Sequence, residues 1–242
     1  MSEPVTIKRG TEIELEIESL AYGGMGLARI ENFVIFVKYA IPGQKVLARI
    51  YKKRKGYAEA QVLETLVESP KAVDVCCKHY WICSKIQSLS YDEQIKEKSS
   101  QVEDAFVRLG GFLNFKLDKV QKANLIYHYR NKMEFTFSPN RWVLESEPKG
   151  VDKSFALGLH IPGRFDKILD IHNCHIQPEI GNKILAVARE VCLANPELRP
   201  YDPRSHIGFL RFLMLRFGVN TGDLMVNVCL LYTSPSPRDN RT

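Results

Sequence analysis

Glu12-Ile13-Glu14-Leu15-Glu16-Ile17-Glu18 alternates charged and apolar residues without a break. A period of two is the spacing of a β-strand with one face in the core and one in water. The next stretch, Ala21-Tyr22-Gly23-Gly24-Met25-Gly26, supplies glycine where a turn needs positive φ or close backbone approach. Further short strands are predicted over Gly26–Ile30, Phe33–Val37, Lys45–Tyr51 and Tyr57–Val67. Between them, Ile41-Pro42-Gly43-Gln44 places Pro and Gly as a type II turn requires. Five short strands in so few residues predict a small closed barrel of the OB type.

Beyond the barrel, residues 68–87 are irregular and hold Cys76, Cys77 and Cys83. Ile95, Val102, Ala105, Phe106 and Leu109 fall on one face of a helix predicted from Tyr91 and closed by Gly110-Gly111. Strands are expected over Ile126–Phe137 and Phe155–Leu159. A helix follows over Ile180–Ala194, with Ile184, Leu185, Val187, Ala188, Val191 and Leu193 on its apolar face. Gly208–Phe217 and Asp223–Val228 read as a β-hairpin joined through Asn220-Thr221-Gly222. The expected class is therefore α+β: an OB-like barrel over 1–67, then a mixed, β-rich domain with helices over 68–228. Residues 229–242, with Thr233-Ser234-Pro235-Ser236-Pro237, are polar and proline-broken and are expected to be an unstructured tail.

An apolar fraction of 45% and a charged fraction of 26% are those of a globular chain and argue against wholesale disorder. No run of apolar residues is long enough for a membrane helix, and the N-terminus does not read as a secretory signal. Six cysteines without such a signal suit reduced thiols or metal ligands, so a cytoplasmic location is expected. The net charge of +6 makes an anionic partner plausible, and its distribution is sharper than its total.

Lys45, Arg49, Lys52, Lys53, Arg54 and Lys55 make six cations with no carboxylate between residues 45 and 57, flanked by Tyr51 and Tyr57. Such a patch at the end of a barrel can neutralise phosphates, and its tyrosines can stack on unpaired bases; the bland alternative is a solvated loop. Cys77 and Cys83, with Cys76 adjacent and Cys174 far downstream, could supply soft ligands to an iron–sulfur cluster. Zinc would accept them with His79, His172 or His175, and unrelated buried cysteines would look the same. Arg130 and Lys132 share the polar face of the predicted strand around Tyr129-Arg130-Asn131-Lys132-Met133-Glu134-Phe135, with Met133 and Phe135 packed inside. Those two cations, and Arg164, are candidates for RNA contact or simply solvated charges. No dinucleotide, phosphate-loop or nucleophile-elbow fingerprint is present.

In chain order these pieces resemble the bacterial RNA (uracil-5-)methyltransferases with an N-terminal TRAM domain. Leu20-Ala21-Tyr22-Gly23-Gly24-Met25-Gly26-Leu27-Ala28 and Ile41-Pro42-Gly43-Gln44-Lys45-Val46 are similar to the TRAM pattern. Cys77-Lys78-His79-Tyr80 through Tyr91-Asp92-Glu93-Gln94, then Ile171-His172-Asn173-Cys174-His175-Ile176-Gln177, resemble the family's cluster loop and the stretch ending in its fourth ligand. The resemblance spans residues 6–228. It implies S-adenosylmethionine-dependent methylation of uridine C5, in ribosomal RNA more than transfer RNA, by a monomer. It also implies a [4Fe-4S] cluster on Cys77, Cys83 and Cys174, with the remaining ligand unfilled unless Cys76 bends in. Ser84 stands where the family pattern has a further thiol, which leaves that ligand set incomplete. Nothing after Val228 resembles the family's Rossmann-like catalytic domain, so that domain, its S-adenosylmethionine site and the activity are expected to be absent from this chain. The alternative is a stand-alone TRAM-type RNA-binding protein; a redox protein is a third reading.

Overall fold

A computed structural model describes residues 7–144 and 146–231. The chain forms two compact units, Met1–Ala123 and Asn124–Thr242. The expected boundary after residue 67 falls within the first of them.

The first unit is built on a six-stranded sheet: β1 (Glu12–Glu16), β2 (Ser19–Ala21), β3 (Met25–Ile30), β4 (Phe33–Lys38), β5 (Lys45–Lys53) and β6 (Tyr57–Val67), in the order β1-β5-β6-β4-β3-β2. Its two ends are one stretch of chain. β1 pairs with β5, the Ile17 amide bonds to the Gln44 carbonyl (2.9 Å), the Glu18 amide crosses to the Leu27 carbonyl (2.8 Å), and β2 then pairs with β3. Residues 12–21 thus close a ring, in which all neighbours are antiparallel except the parallel pair β4–β6. The alternation of the opening stretch is the reason: Ile13, Leu15 and Ile17 point into a core with Ala28, Ile35, Val37, Ala48 and Ile50, while the glutamates stay outside. β2, which was not predicted, lies between the first predicted strand and the glycine turn and shares only Ala21 with that turn. Gly26 is there for close approach, since a Cβ would sit 2.9 Å from the Ile17 side chain. Gly43, at φ +86°, makes the turn after Pro42.

Residues 68–123 pack on this ring inside the same unit. A bridge pairs Ala72 with Leu89, and Leu20, Ile41 and Leu89 form a second small core. After a short α1 (Tyr80–Cys83), α2 (Tyr91–Asp104) lies along β2: Glu97 accepts from the Leu20 amide and Gln101 donates to the Leu20 carbonyl. Two side chains four residues apart on one helix face thereby satisfy the backbone of a three-residue strand. The predicted helix changes pitch at Ala105–Leu109, a π turn that inserts an extra residue and breaks the 3.6 spacing. Its expected apolar stripe is therefore not a core face: Val102, Phe106 and Leu109 are exposed, and Phe106 stacks on Phe115 at 4.2 Å.

The second unit holds β7 (Lys132–Ser138), β8 (Arg141–Trp142), β9 (Ala156–His160), β10 (Ile168–Asp170), α3 (Glu179–Ala194), β11 (Leu210–Phe217) and β12 (Leu224–Leu230). Its sheet order is β12-β11-β7-β9-β10-β8. Met133, Phe135, Leu157, Ile168, Leu213 and Leu215 are buried in it. α3 turns Gly181, Leu185 and Arg189 inward, whereas Val187, Val191 and Leu193 of the expected apolar face stay exposed. The Arg189 guanidinium bonds to Asp170 (2.6 Å) and to the carbonyls of Ile171 (2.9 Å) and Leu157 (3.2 Å). β7 begins later than predicted because His128 sits at φ +56° and the His128 and Arg130 amides bond to His175 and Ile176. The expected tail starts inside β12, which runs to Leu230, and its residues from 232 onward lie outside the described residues.

The expected α+β class needs correcting. Among the described residues the chain is mostly sheet, with twelve strands and three α-helices, one of only four residues. The difference lies in β2, β8 and β10, each of two or three residues, too short to show a periodicity.

Candidate nucleic-acid interface

The basic run Lys52-Lys53-Arg54-Lys55 closes the hairpin between β5 and β6, where the Arg54 amide bonds to the Tyr57 carbonyl (2.8 Å). The six cations of this region are not equivalent. The outward glutamates of β1 lie beside β5, so Arg49 bonds to Glu12 (3.0 Å) and Lys45 to Glu14 (2.7 Å). Lys52 pairs with Glu59 on β6. Among the described residues, no ion pair reaches Lys53, Arg54 or Lys55. The usable positive charge is therefore concentrated at the hairpin tip, half of what counting the sequence suggests.

A β-bulge between Ile50 and Lys52 shapes the adjoining surface. It brings two consecutive side chains to one carboxylate: the Tyr51 hydroxyl donates to Glu59 (2.8 Å) and the Lys52 ammonium to its other oxygen. Those two hydrogen bonds hold the Glu59 carboxyl below its ordinary range. Burial, then the bond to Glu59, raises the Tyr51 phenol above its ordinary value. On the same outward side, Phe36 meets Tyr57 edge-on at 5.6 Å. Lys38 lies over the Tyr51 ring at 4.5 Å and Lys52 near the Tyr57 ring at 6.0 Å. Tyr39 and Trp81 make a further edge contact at 6.4 Å. Phe36, Lys38 and Glu59 were missed by sequence reasoning. The strand alternation places Phe36 and Lys38 opposite the inward Ile35 and Val37, which was the available signal.

The other candidates are in the second unit or in the cysteine loop. Arg130 precedes β7 rather than sharing its face with Lys132, and its Nε donates to the Lys132 carbonyl (3.1 Å). Lys132 is instead beside Glu134 at 3.9 Å. Arg164 lies over the Trp142 ring at 5.7 Å. In the first unit, the Cys76 thiol and the Cys77 amide donate to the Gln87 side-chain Oε1 at 3.6 and 3.4 Å. Burial, with Cys83 and Cys76 nearby, pushes the Cys77 thiol up to about 11. Cys174 belongs to the second unit, where its amide bonds to Asn182 (2.9 Å). Among the described residues no three His, Cys, Asp or Glu side chains converge to hold a metal ion. The expected [4Fe-4S] cluster on Cys76, Cys77, Cys83 and Cys174 therefore finds no support among the described residues. No helix among the described residues is long and apolar enough to cross a membrane.

Residues 7–63 match the family model of the TRAM domain. An uncharacterized RNA methyltransferase of Porphyromonas gingivalis is 36% identical over 234 residues, covering 93% of this chain and 50% of that protein. Another, of Chlorobaculum tepidum, is 38% identical over 193 residues, covering 77% of this chain and 40% of the relative. The chain spans about half the length of the curated relatives it matches. Among solved structures, the Pyrococcus abyssi tRNA (uracil-54, C5)-methyltransferase in complex with S-adenosyl-L-homocysteine matches with a TM-score of 0.64 and 20% identity. That likeness, one of fold, covers 91% of this chain and 46% of the other. It gives no support to the expected absence of a Rossmann-like domain, and the expected inactivity has no support either.

Proposed function

With residues 7–63 a TRAM domain and the chain a homologue of RNA methyltransferases over most of its length, we propose that it serves S-adenosylmethionine-dependent methylation of uridine C5. The substrate proposed is ribosomal RNA, gripped by the barrel up to residue 67 and presented by residues 68–228, in a monomer in the cytoplasm. The single observation that carries the RNA grip is the Lys53–Lys55 hairpin tip, cationic and without carboxylate partners among the described residues, at the end of the TRAM ring. Cations that a protein does not neutralise itself are available to release counterions from phosphates. Lys52 contributes once its bond to Glu59 is exchanged for a phosphate, and Arg130, Lys132 and Arg164 form a second set of contacts.

S-adenosylmethionine supplies the methyl group in this proposal, and none of the residues described above is assigned to it. Support for uridine as the target comes from the family motifs in the sequence and the fold shared with a uracil C5 methyltransferase.

The test is transfer of labelled methyl from S-adenosylmethionine to unmodified ribosomal and transfer RNA by the full protein, with nucleosides identified by mass spectrometry. 5-Methyluridine in ribosomal RNA is expected. Its appearance only in transfer RNA would move the substrate, and binding without transfer would leave a stand-alone RNA-binding protein. Neither binding nor transfer would end the proposal.

A further inference from the structure

The outer wall of the barrel is not the plain polar surface that a solvated strand face would present. β4, β6 and β5 turn Ile35, Val37, Ala58, Ala60 and Ile50 inward, and all are essentially inaccessible. Of the residues that alternate with them and face out, most here are aromatic or basic: Phe36 and Lys38 on β4, Tyr57 on β6, Tyr51 and Lys52 on β5. The one acid among them, Glu59 between Ala58 and Ala60, is taken up by Tyr51 and Lys52. None of the rings is a core residue, and each has a neighbour that fixes it. Phe36 and Tyr57 meet edge to face, Lys38 covers Tyr51, and Glu59 tethers Tyr51 and Lys52 together. The line begins at the Lys53–Gly56 hairpin and runs within the first unit to Tyr39 and Trp81.

Resting on the RNA-holding role proposed above, we infer that this wall is a stacking platform for a short run of unpaired nucleotides. Its occupant is fixed by chemistry. Held rings offer π-faces to any base, the interleaved cations follow the phosphates, and the unneutralised hairpin anchors one end. Duplex RNA keeps its bases stacked on one another and cannot use the rings, so the wall selects unpaired segments. Glu59 is a positioning residue that holds Tyr51 and Lys52.

The experiment compares binding of a fluorescent unpaired oligonucleotide and a duplex of equal length to the full chain, across salt concentrations. Tyr57→Leu and Phe36→Leu remove π-faces while keeping apolar bulk. Each is expected to weaken unpaired binding about 5- to 100-fold with an unchanged salt slope and unchanged duplex binding. Tyr57→Phe is expected to bind as the parent. Should the leucine variants fold poorly, the parent protein alone suffices: stacking is expected to quench 2-aminopurine placed in the unpaired oligonucleotide. Unquenched 2-aminopurine with retained binding, or leucine variants that bind like the parent, would overturn the platform and leave the RNA-holding role standing. A parent chain that binds no RNA at low salt would remove both together.

Discussion

The two units handle charge in opposite ways. The barrel keeps its ion pairs on the outside: Arg49 with Glu12 and Lys45 with Glu14, all with side chains about half exposed, leave the hairpin tip unneutralised. The second unit encloses a pair, Arg189 with Asp170, whose side chains are only 10% and 9% exposed. There the same guanidinium nitrogen, Nη2, also donates to the carbonyls of Leu157 and Ile171, so the charge fastens α3 to β9 and β10. Charge at that pair is structural. In the barrel most of it is solvated, and what is left over is available to a ligand.

The contrast is broken most severely at Arg189. Arg189→Ala leaves Asp170 without its main counter-charge in a buried setting, and is expected to cost about 3–5 kcal/mol in denaturant unfolding of the second unit. Arg189→Met combined with Asp170→Leu is expected to recover most of that loss, because no unpaired charge then remains. If the single variant costs no more than a surface substitution, the pair does not fasten the helix.

Next comes the hairpin. Replacing Lys53, Arg54 and Lys55 together with glutamine is expected to leave unfolding within about 0.5 kcal/mol of the parent. The same change should lower the slope of log affinity for unpaired RNA against log salt by about 2, at roughly 0.7 for each phosphate no longer neutralised. A slope that does not move would take the hairpin tip out of the interface.

Glu59 sharpens the comparison through pH. Its carboxyl is held below the ordinary range of about 4.5 by bonds from Lys52 and Tyr51, so its contribution to stability is present above that pH. It is lost as the pH falls through the lowered folded value. Glu59→Gln is therefore expected to lower stability at neutral pH and to flatten the acid limb of the unfolding curve, the variant and the parent converging as the pH falls. An acid limb identical to that of the parent would mean that the tether carries no energy.

These differences are unevenly legible in the sequence. The Glu12–Glu18 alternation gives the core face of β1 directly, because each apolar residue there meets the inside of a closed ring. Its other face is equally informative, yet locally it reads only as a contrast to the basic run. Pairing β1 with β5 makes those glutamates the partners of Lys45 and Arg49, about 35 positions away, which no local pattern states. The bulge that brings Tyr51 and Lys52 to one carboxylate is invisible for the same reason: it exists only against β6. Arg189 is inconspicuous among the apolar residues of α3, since a helix period marks which positions face inward but not which polar partners wait there. The cysteine loop is a different case. Spacing and resemblance suggest converging thiols, and no such group is found among the described residues.

The smallest effect tests the barrel half of the comparison most cleanly. Arg49 and Glu12 lie directly opposite each other on β1 and β5 with side chains 55% and 45% exposed. Water screens such a pair, and ordering two long side chains offsets much of the attraction, so Arg49→Gln is expected to cost about 0.2–1 kcal/mol and less in high salt. Because Arg49 is neutralised by Glu12, the same variant is expected to leave the salt slope of RNA binding where the parent has it. A drop in slope comparable to that from the hairpin would mean that RNA displaces Glu12, and that the paired cations of β5 belong to the interface after all.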